Sequence, residues 1–254
     1  MKRIRRKEKW IRILDAFLRK STSLSASDIS VYPQKEPREM AEKLAKIPDG
    51  VWGMYAFARE PLEGKFTKEQ KCEYIKKANT CGRVWAEKIV EEYRTADPAL
   101  LAERMGMKVW QKKTPVGGGN VLFAQFVQPD EITIFTDCIT KAQKIYQESG
   151  CSLLEGKMLF SLLLAHELFH AVEERYAEEI YTRTEKVELW KRPFSNRSSI
   201  ACLSEIAAMA FAAQLTGIEM SPYMLDVLLV YAYDKNAAWG LYDEVCRLWN
   251  EEKQ

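Results

Sequence analysis

The pattern of apolar and polar positions predicts a chain that is mostly helical. In several segments the apolar residues recur every three or four positions, a spacing that places them on one face of a helix. Asp97 and Pro98 stand where an N-cap and a first helical residue are expected, and Gly106 ends the same segment. We therefore predict helices over residues 38–46, 67–93, 98–105 and 140–148.

Between the third and fourth of these helices the residues follow a pattern typical of strands. The predicted strands are residues 107–110, 121–127 and 131–135, with a flexible turn at glycines 117–119. Pro129 and Asp130 join the last two strands, which indicates a hairpin. This order of elements predicts an α+β fold, mostly α, in which a small antiparallel sheet packs on the helix that follows.

A segment near the N-terminal third of the chain is predicted to be a loop. Residues 47–64 contain two prolines and three glycines, which are common in loops and turns. The segment also contains Trp52, Tyr55 and Phe57. We expect these aromatic side chains to anchor the loop to the core rather than to bind a ligand.

The most informative segment is residues 157–179, which is apolar on nearly every side and contains nothing that breaks a helix. Within it His166, Glu167 and His170 form the pattern H-E-x-x-H. Residues four apart lie on one face of a helix, so the two imidazoles can reach a single point. They would supply half of a tetrahedral zinc site, and Glu167 could act beside it as a general base.

Two alternatives to an open metal site fit the sequence less well. His166 and His170 are the only histidines of the chain, and as plain core residues they would have to bury Glu167 without a charge partner, which is costly. A closed structural zinc site would favour cysteine ligands, but the chain contains no C-x-x-C pair. We therefore favour a catalytic site with an open coordination position.

A third protein ligand is needed to complete such a site, and we favour Glu205. It lies in an apolar predicted helix, where a carboxylate without a cation would be costly to bury. Glu188 also has apolar neighbours, but it precedes a loop, while Cys202 lies three residues before Glu205 on the same helical face. Glu173 and Glu174 follow the motif too closely on its own helix to turn easily towards the metal.

Length and composition limit the class of protein. The 254 residues suffice for one large domain with an appendage, and we predict an N-terminal helical extension over residues 1–78 and a metal-binding domain over residues 79–254. The six cysteines are scattered, which favours a reduced, cytoplasmic protein over a disulfide-stabilised one. No apolar run approaches the length needed to span a membrane, so no membrane partner is expected.

The first twenty residues are strongly basic. They contain nine lysines and arginines, and apolar residues such as Trp10, Leu14 and Phe17 fit one face of a helix. Such a helix could contact nucleic acid or an acidic partner. The other interpretation is a solvated charged face whose apolar side packs on the body of the protein.

Four segments together resemble the ImmA/IrrE-type zinc metallopeptidases. They are DPALLAERMGMKV at 97–109, ITI at 132–134, AHELFH at 165–170 and SEIAAMAFAAQL at 204–215, which span roughly half of the chain. The resemblance implies a zincin-like domain over residues 79–254 that binds zinc through His166, His170 and Glu205. It also implies an intracellular endopeptidase with a protein or peptide substrate, often a transcriptional repressor.

The chain departs from this family at two positions. Phe169 stands where a glycine is usual, and Met209 stands where many members have an Asp or Asn that supports a histidine ligand. Another group must then support the histidine, or the domain is a non-proteolytic sensor or interaction module. In the peptidase mechanism Glu167 moves the proton, and Tyr181 or Arg183 is a candidate to stabilise the oxyanion.

Overall fold

The computed structural model describes residues 36–114, 122–190 and 196–253, most of which are helical. The predicted N-terminal helix at residues 1–20 and the glycine turn at 117–119 lie outside these ranges. Among the described residues the helices are α1 Pro37–Leu44, α2 Asp49–Phe57, α3 Lys68–Tyr93, α4 Pro98–Arg104, α5 Thr136–Ser149, α6 Gly156–Arg175, α7 Tyr181–Thr184, α8 Cys202–Thr216, α9 Met224–Tyr231 and α10 Lys235–Glu252. The strands are β1 Lys108–Lys112, β2 Ala124–Val127, β3 Glu131–Phe135, β4 Val187–Trp190 and β5 Asn196–Ser198.

The three-stranded sheet is mixed, so the prediction of an antiparallel sheet was wrong in this respect. β3 lies in the middle, with β1 parallel to it on one side and β2 antiparallel to it on the other. The predicted hairpin of β2 and β3 is confirmed. Parallel strands need a long connection, and here the chain between β1 and β3 includes β2 itself. The α+β, mostly α class is confirmed.

The segment predicted as a loop at residues 47–64 contains helix α2, which is a correction. Pro48 stands at the N-cap, and Trp52, Tyr55 and Phe57 are each 1% exposed, so the aromatics do anchor the segment to the core. The glycines were misleading as loop signals because at least one has a packing role. A Cβ atom at Gly53 would lie 2.3 Å from a side-chain carbon of Ile75, so only glycine lets α2 approach α3 this closely.

Helix α3 packs directly against α8. Thr67 caps α3 in a reciprocal pair with Gln70. A Cβ atom at Gly82 would lie 2.1 Å from the carbonyl oxygen of Ala207, so the two helix backbones are in direct contact. The boundary predicted between residues 78 and 79 lies inside α3, and buried residues on both sides of it belong to one core.

The helix that contains the H-E-x-x-H motif is the most enclosed element. Helix α6 packs against α8 on one side and against β2 and β3 on another, and α4 and α5 cover other parts of it. Its residues from Leu162 to Glu173 are all buried. None of the described helices is both long enough and apolar enough to cross a bilayer.

Candidate metal centre

Helix α6 holds the two histidines of the motif side by side. Glu155 caps the helix by accepting a hydrogen bond from the Met158 amide at 3.0 Å. His166 and His170 are 3% and 4% exposed, and their Nε2 atoms lie 3.3 Å apart. The α-helical spacing therefore brings two imidazole nitrogens to one point, as the sequence predicted.

Helix α8 brings the Glu205 carboxylate to the same point. Its Oε2 lies 3.3 Å from His166 Nε2, and its Oε1 lies 3.6 Å from His170 Nε2. Ligand atoms about 2.0–2.1 Å from a tetrahedral zinc ion lie about 3.3–3.4 Å from one another. The closest contacts within the triangle of His166, His170 and Glu205 are near this spacing. One ligand atom from each residue lies within 4.8 Å of the other two, so the three residues could hold a metal ion.

The charges around this triangle favour a cation. Burial acts to lower the pKa of His166, but the hydrogen bond and negative charge of Glu205 outweigh it, and the pKa is raised. A group of two imidazoles and a carboxylate therefore sits in a field that attracts positive charge. A metal ion with nitrogen and oxygen preferences, such as zinc, fits this donor set.

Glu205 is less buried than we expected. Its side chain is 37% exposed, although its neighbours on α8 are buried, so the predicted burial cost of an unpaired carboxylate was wrong. The reason is that Glu205 lies in the first turn of α8, at the edge of the core. Its assignment rests on the distances to the two imidazoles, and its exposed side marks the open side of the site.

The other candidate ligands lie elsewhere. Glu188 is exposed on β4, and Glu174 is exposed and pairs with Arg183. Cys202 is buried at the start of α8, and burial beside the Glu60 carboxylate raises the pKa of its thiol. None of these side chains belongs to the group of converging ligand atoms found among the described residues.

Glu167 lies next to the triangle and is 1% exposed. Burial raises the pKa of its carboxyl, while the two histidines and the Phe126 amide act to lower it. Its Oε1 atom has no hydrogen-bond partner among the residues that the structure describes. A buried carboxylate with one oxygen free to accept a proton is suited to general-base chemistry.

Two side chains that the sequence did not identify for this role lie behind His170. The Ser204 hydroxyl lies 3.3 Å from His170 Nδ1 and donates to Glu173 Oε2 at 2.9 Å. That same carboxylate oxygen is 3.8 Å from His170 Nδ1 and 4.0 Å from Arg183 Nε. Groups of this kind orient a metal-ligating imidazole, so Ser204 and Glu173 can do for His170 what Met209 cannot.

Tyr181, the tyrosine predicted to stabilise the oxyanion, and Tyr223, a buried tyrosine just before α9, differ in the charged groups that surround their hydroxyls. Burial and the charge of Glu185 raise the pKa of Tyr181, and its other charged or polar neighbours belong to α3. The Tyr223 hydroxyl is buried, and its pKa is raised by burial and next by the charge of Glu205. A role for Tyr181 in catalysis stays a prediction, whereas Tyr223 lies in the electrostatic field of a candidate ligand.

A signal for one further residue was present in the sequence. Asp226 interrupts the apolar helix α9 and is 4% exposed. Burial raises its pKa to about 7, while Arg59 and His166 act to lower it. A carboxylate in an apolar helix needs a partner, and Asp226 meets this criterion in α9 as Glu205 does in α8.

No family model, no curated protein and no solved structure matches the chain.

Proposed function

We propose that the protein is a zinc-dependent endopeptidase. The observation that carries this proposal is the triangle of His166, His170 and Glu205, whose closest contacts are 3.3, 3.3 and 3.6 Å, beside the buried carboxylate of Glu167. When bound, zinc would supply positive charge that lowers the pKa of a water molecule and polarises a peptide carbonyl. Proton transfer is then the task of the protein's own side chains.

Glu167 is the residue that moves the proton in this mechanism. Its free Oε1 accepts a proton as water attacks the peptide carbonyl, and the same carboxyl then donates it to the leaving amine. A pKa raised by burial brings this carboxyl closer to the operating pH, which suits a group that must both accept and release a proton. Enclosure by α6 and β2 limits the access of bulk water to the carboxylate.

Strand β2 offers a place for an extended substrate. The Phe135 amide donates a hydrogen bond to the Phe123 carbonyl at 3.0 Å. In an antiparallel pair only every second residue bonds to the partner strand, so this bond shows which residues of β2 bond to β3 and which do not. Ala124 and Phe126 accordingly turn their backbone groups away from β3, and the Phe126 amide faces Glu167. A peptide paired to this edge would pass the general base, which supports a protein or peptide substrate.

The biological setting is proposed on two grounds. All six cysteines are free, which fits a reducing, cytoplasmic environment. The resemblance to the ImmA/IrrE type suggests that the substrate is a regulatory protein such as a transcriptional repressor. The departure at Met209 favours, as a second candidate, a zinc-binding sensor or interaction module that does not cleave peptides.

The test compares Glu167 with an exposed glutamate just beyond the same helix. Glu167→Gln and the control Glu178→Gln are loaded with zinc and incubated with a library of unstructured peptides, and the products are identified by mass spectrometry. We expect Glu167→Gln to retain zinc and lose cleavage, because an amide cannot accept the proton, and Glu178→Gln to behave as the wild type. Equal cleavage by both variants would exclude Glu167 as the base. A zinc-loaded wild type without cleavage would favour the sensor.

A further inference from the structure

We propose that Asp226 is a positioning residue that holds His166 in the orientation needed to bind the metal, through one water molecule in a cavity between them. The inference rests on the proposed zinc site, but it concerns a side chain that the mechanism does not use. It would give His166 the support that His170 receives from Ser204 and Glu173.

Asp226 and His166 line the same small cavity. The cavity measures about 30 Å³ and lies between α6, α8 and α9. Its other walls are formed by apolar side chains, among them Leu162, Leu225 and Leu229. A cavity of this size holds one water, provided that the water finds at least two polar partners. The imidazole of His166 and the carboxylate of Asp226 are such a pair.

The metal site requires a hydrogen-bond acceptor on this side of His166. Its Nε2 faces Glu205 at 3.3 Å, so a neutral ring that binds metal through Nε2 carries its proton on Nδ1. For His170 the Nδ1 atom lies 3.3 Å from Ser204 Oγ. No direct hydrogen bond joins His166 Nδ1 to another residue of the described ranges, and we infer that this nitrogen faces the cavity.

Arg59 and Tyr55 also lie near Asp226. Arg59 donates two hydrogen bonds to Glu244, at 3.1 and 2.9 Å, and a third to the Tyr55 carbonyl at 2.7 Å. The Tyr55 hydroxyl lies close enough to Asp226 to interact with its carboxylate, and the Glu205 carboxylate is also in its electrostatic surroundings. Arg59 and Tyr55 therefore offset part of the cost of burying Asp226. Because a carboxylate can accept several hydrogen bonds, Asp226 can still accept one from the water that bridges it to His166.

Met209 makes the proposal testable by relocation of the carboxylate. Its side chain lines the same cavity from α8. An aspartate at this position would put a carboxylate into the space that Asp226 serves from α9. If the role of Asp226 is to present an acceptor to His166, then Met209→Asp should restore part of what Asp226→Ala removes.

The experiment measures zinc affinity of the full chain by competition with a chromophoric chelator. We expect Asp226→Ala to bind zinc about 10- to 100-fold more weakly and Asp226→Asn to lie between it and the wild type. The double variant Asp226→Ala/Met209→Asp should regain at least threefold of the loss. Asp243→Ala is the control, since Asp243 is 42% exposed on α10 and pairs with Arg247. A ¹H–¹⁵N spectrum of the zinc-loaded protein should show a protected proton on His166 Nδ1 that Asp226→Ala loses.

Each outcome decides the matter. The proposal would be overturned if Asp226→Ala and Asp226→Asn both bind zinc within twofold of the wild-type affinity. It would also be overturned if Asp226→Ala loses affinity, Met209→Asp does not restore it, and the Nδ1 proton signal of His166 is unchanged. If Asp226→Ala fails to fold, Asp226→Asn, which conserves the shape, takes its place under the same criteria. A wild type that binds no zinc would instead remove the metal site itself.

Discussion

The histidine half and the glutamate half of the site differ in how they are enclosed. On α6 the two imidazoles are at most 4% exposed, and the residues between them are buried as well. On α8 the carboxylate of Glu205 is 37% exposed, although most residues of that helix are buried. One half of the site is therefore part of the protein interior, and the other lies at its edge.

This difference assigns separate tasks to the two helices. The buried half fixes the position of the imidazoles, because side chains in a close-packed core have few alternative rotamers. The exposed half leaves one side of the triangle open, as a catalytic zinc site requires. The comparison predicts graded effects: large for the ligand on the open side, smaller for the groups behind the buried ligands, and smallest for the residue that anchors α8.

The largest effect is expected when the open half loses its ligand. Glu205→Gln should weaken zinc affinity by more than the 10- to 100-fold that is typical of residues outside the coordination sphere, because a neutral amide is a poor zinc ligand. Isothermal titration or chelator competition measures this. The controls Glu188→Gln and Cys202→Ser should bind zinc as the wild type does. If Glu188→Gln or Cys202→Ser shows the larger loss, Glu205 is not the third ligand.

A smaller effect is expected behind the buried half. Ser204→Ala removes the hydroxyl that lies 3.3 Å from His170 Nδ1 and 2.9 Å from Glu173. We expect about a tenfold loss of zinc affinity, since the imidazole loses an oriented neighbour but remains packed in the core. Ser199→Ala, at an exposed position, serves as the control. Unchanged affinity in Ser204→Ala would show that packing alone orients His170.

The smallest effect on zinc affinity is expected at Glu60, which holds the start of α8. Helix α8 has no side-chain cap of its own, and the Cys202 amide instead donates to the buried Glu60 carboxylate at 2.9 Å. Glu60→Ala should lower the free energy of unfolding by about 1–2 kcal/mol, as loss of a helix cap does. Chemical denaturation measures this change, and Glu91→Ala, at an exposed position on α3, is the control. If Glu60→Ala leaves the free energy of unfolding unchanged, Glu60 does not stabilise α8 as a cap.

The sequence predicted the elements that local rules determine. The motif helix, the capped helix at Asp97 and the hairpin of β2 and β3 follow from periodicity, capping and turn residues, and the structure confirms them. Glu205 was identified from the resemblance and from its position in an apolar helix. In the structure its carboxylate is partly exposed, and its assignment depends on its distances to the two imidazoles. Its exposure depends on where α8 begins in the core, which no local rule determines.

The errors have a common physical cause, which is packing between distant segments. Gly53 was interpreted as a loop signal, but it allows α2 to contact Ile75. The parallel pairing of β1 with β3 depends on the path of a long connection rather than on either strand. Ser204 lies 34 residues after His170, so only the assembled helices reveal that its hydroxyl joins Glu173, three residues after His170 on the same helix, behind the imidazole.

The central claim is that His166 and His170 together bind one zinc ion, and metal analysis of the purified full chain tests it most directly. We predict about one zinc ion per chain in the wild type, and almost none in His166→Ala or His170→Ala, because two of the three protein ligands are histidines. Full zinc occupancy in either variant, or no zinc in a folded wild type supplied with the metal, would contradict the account.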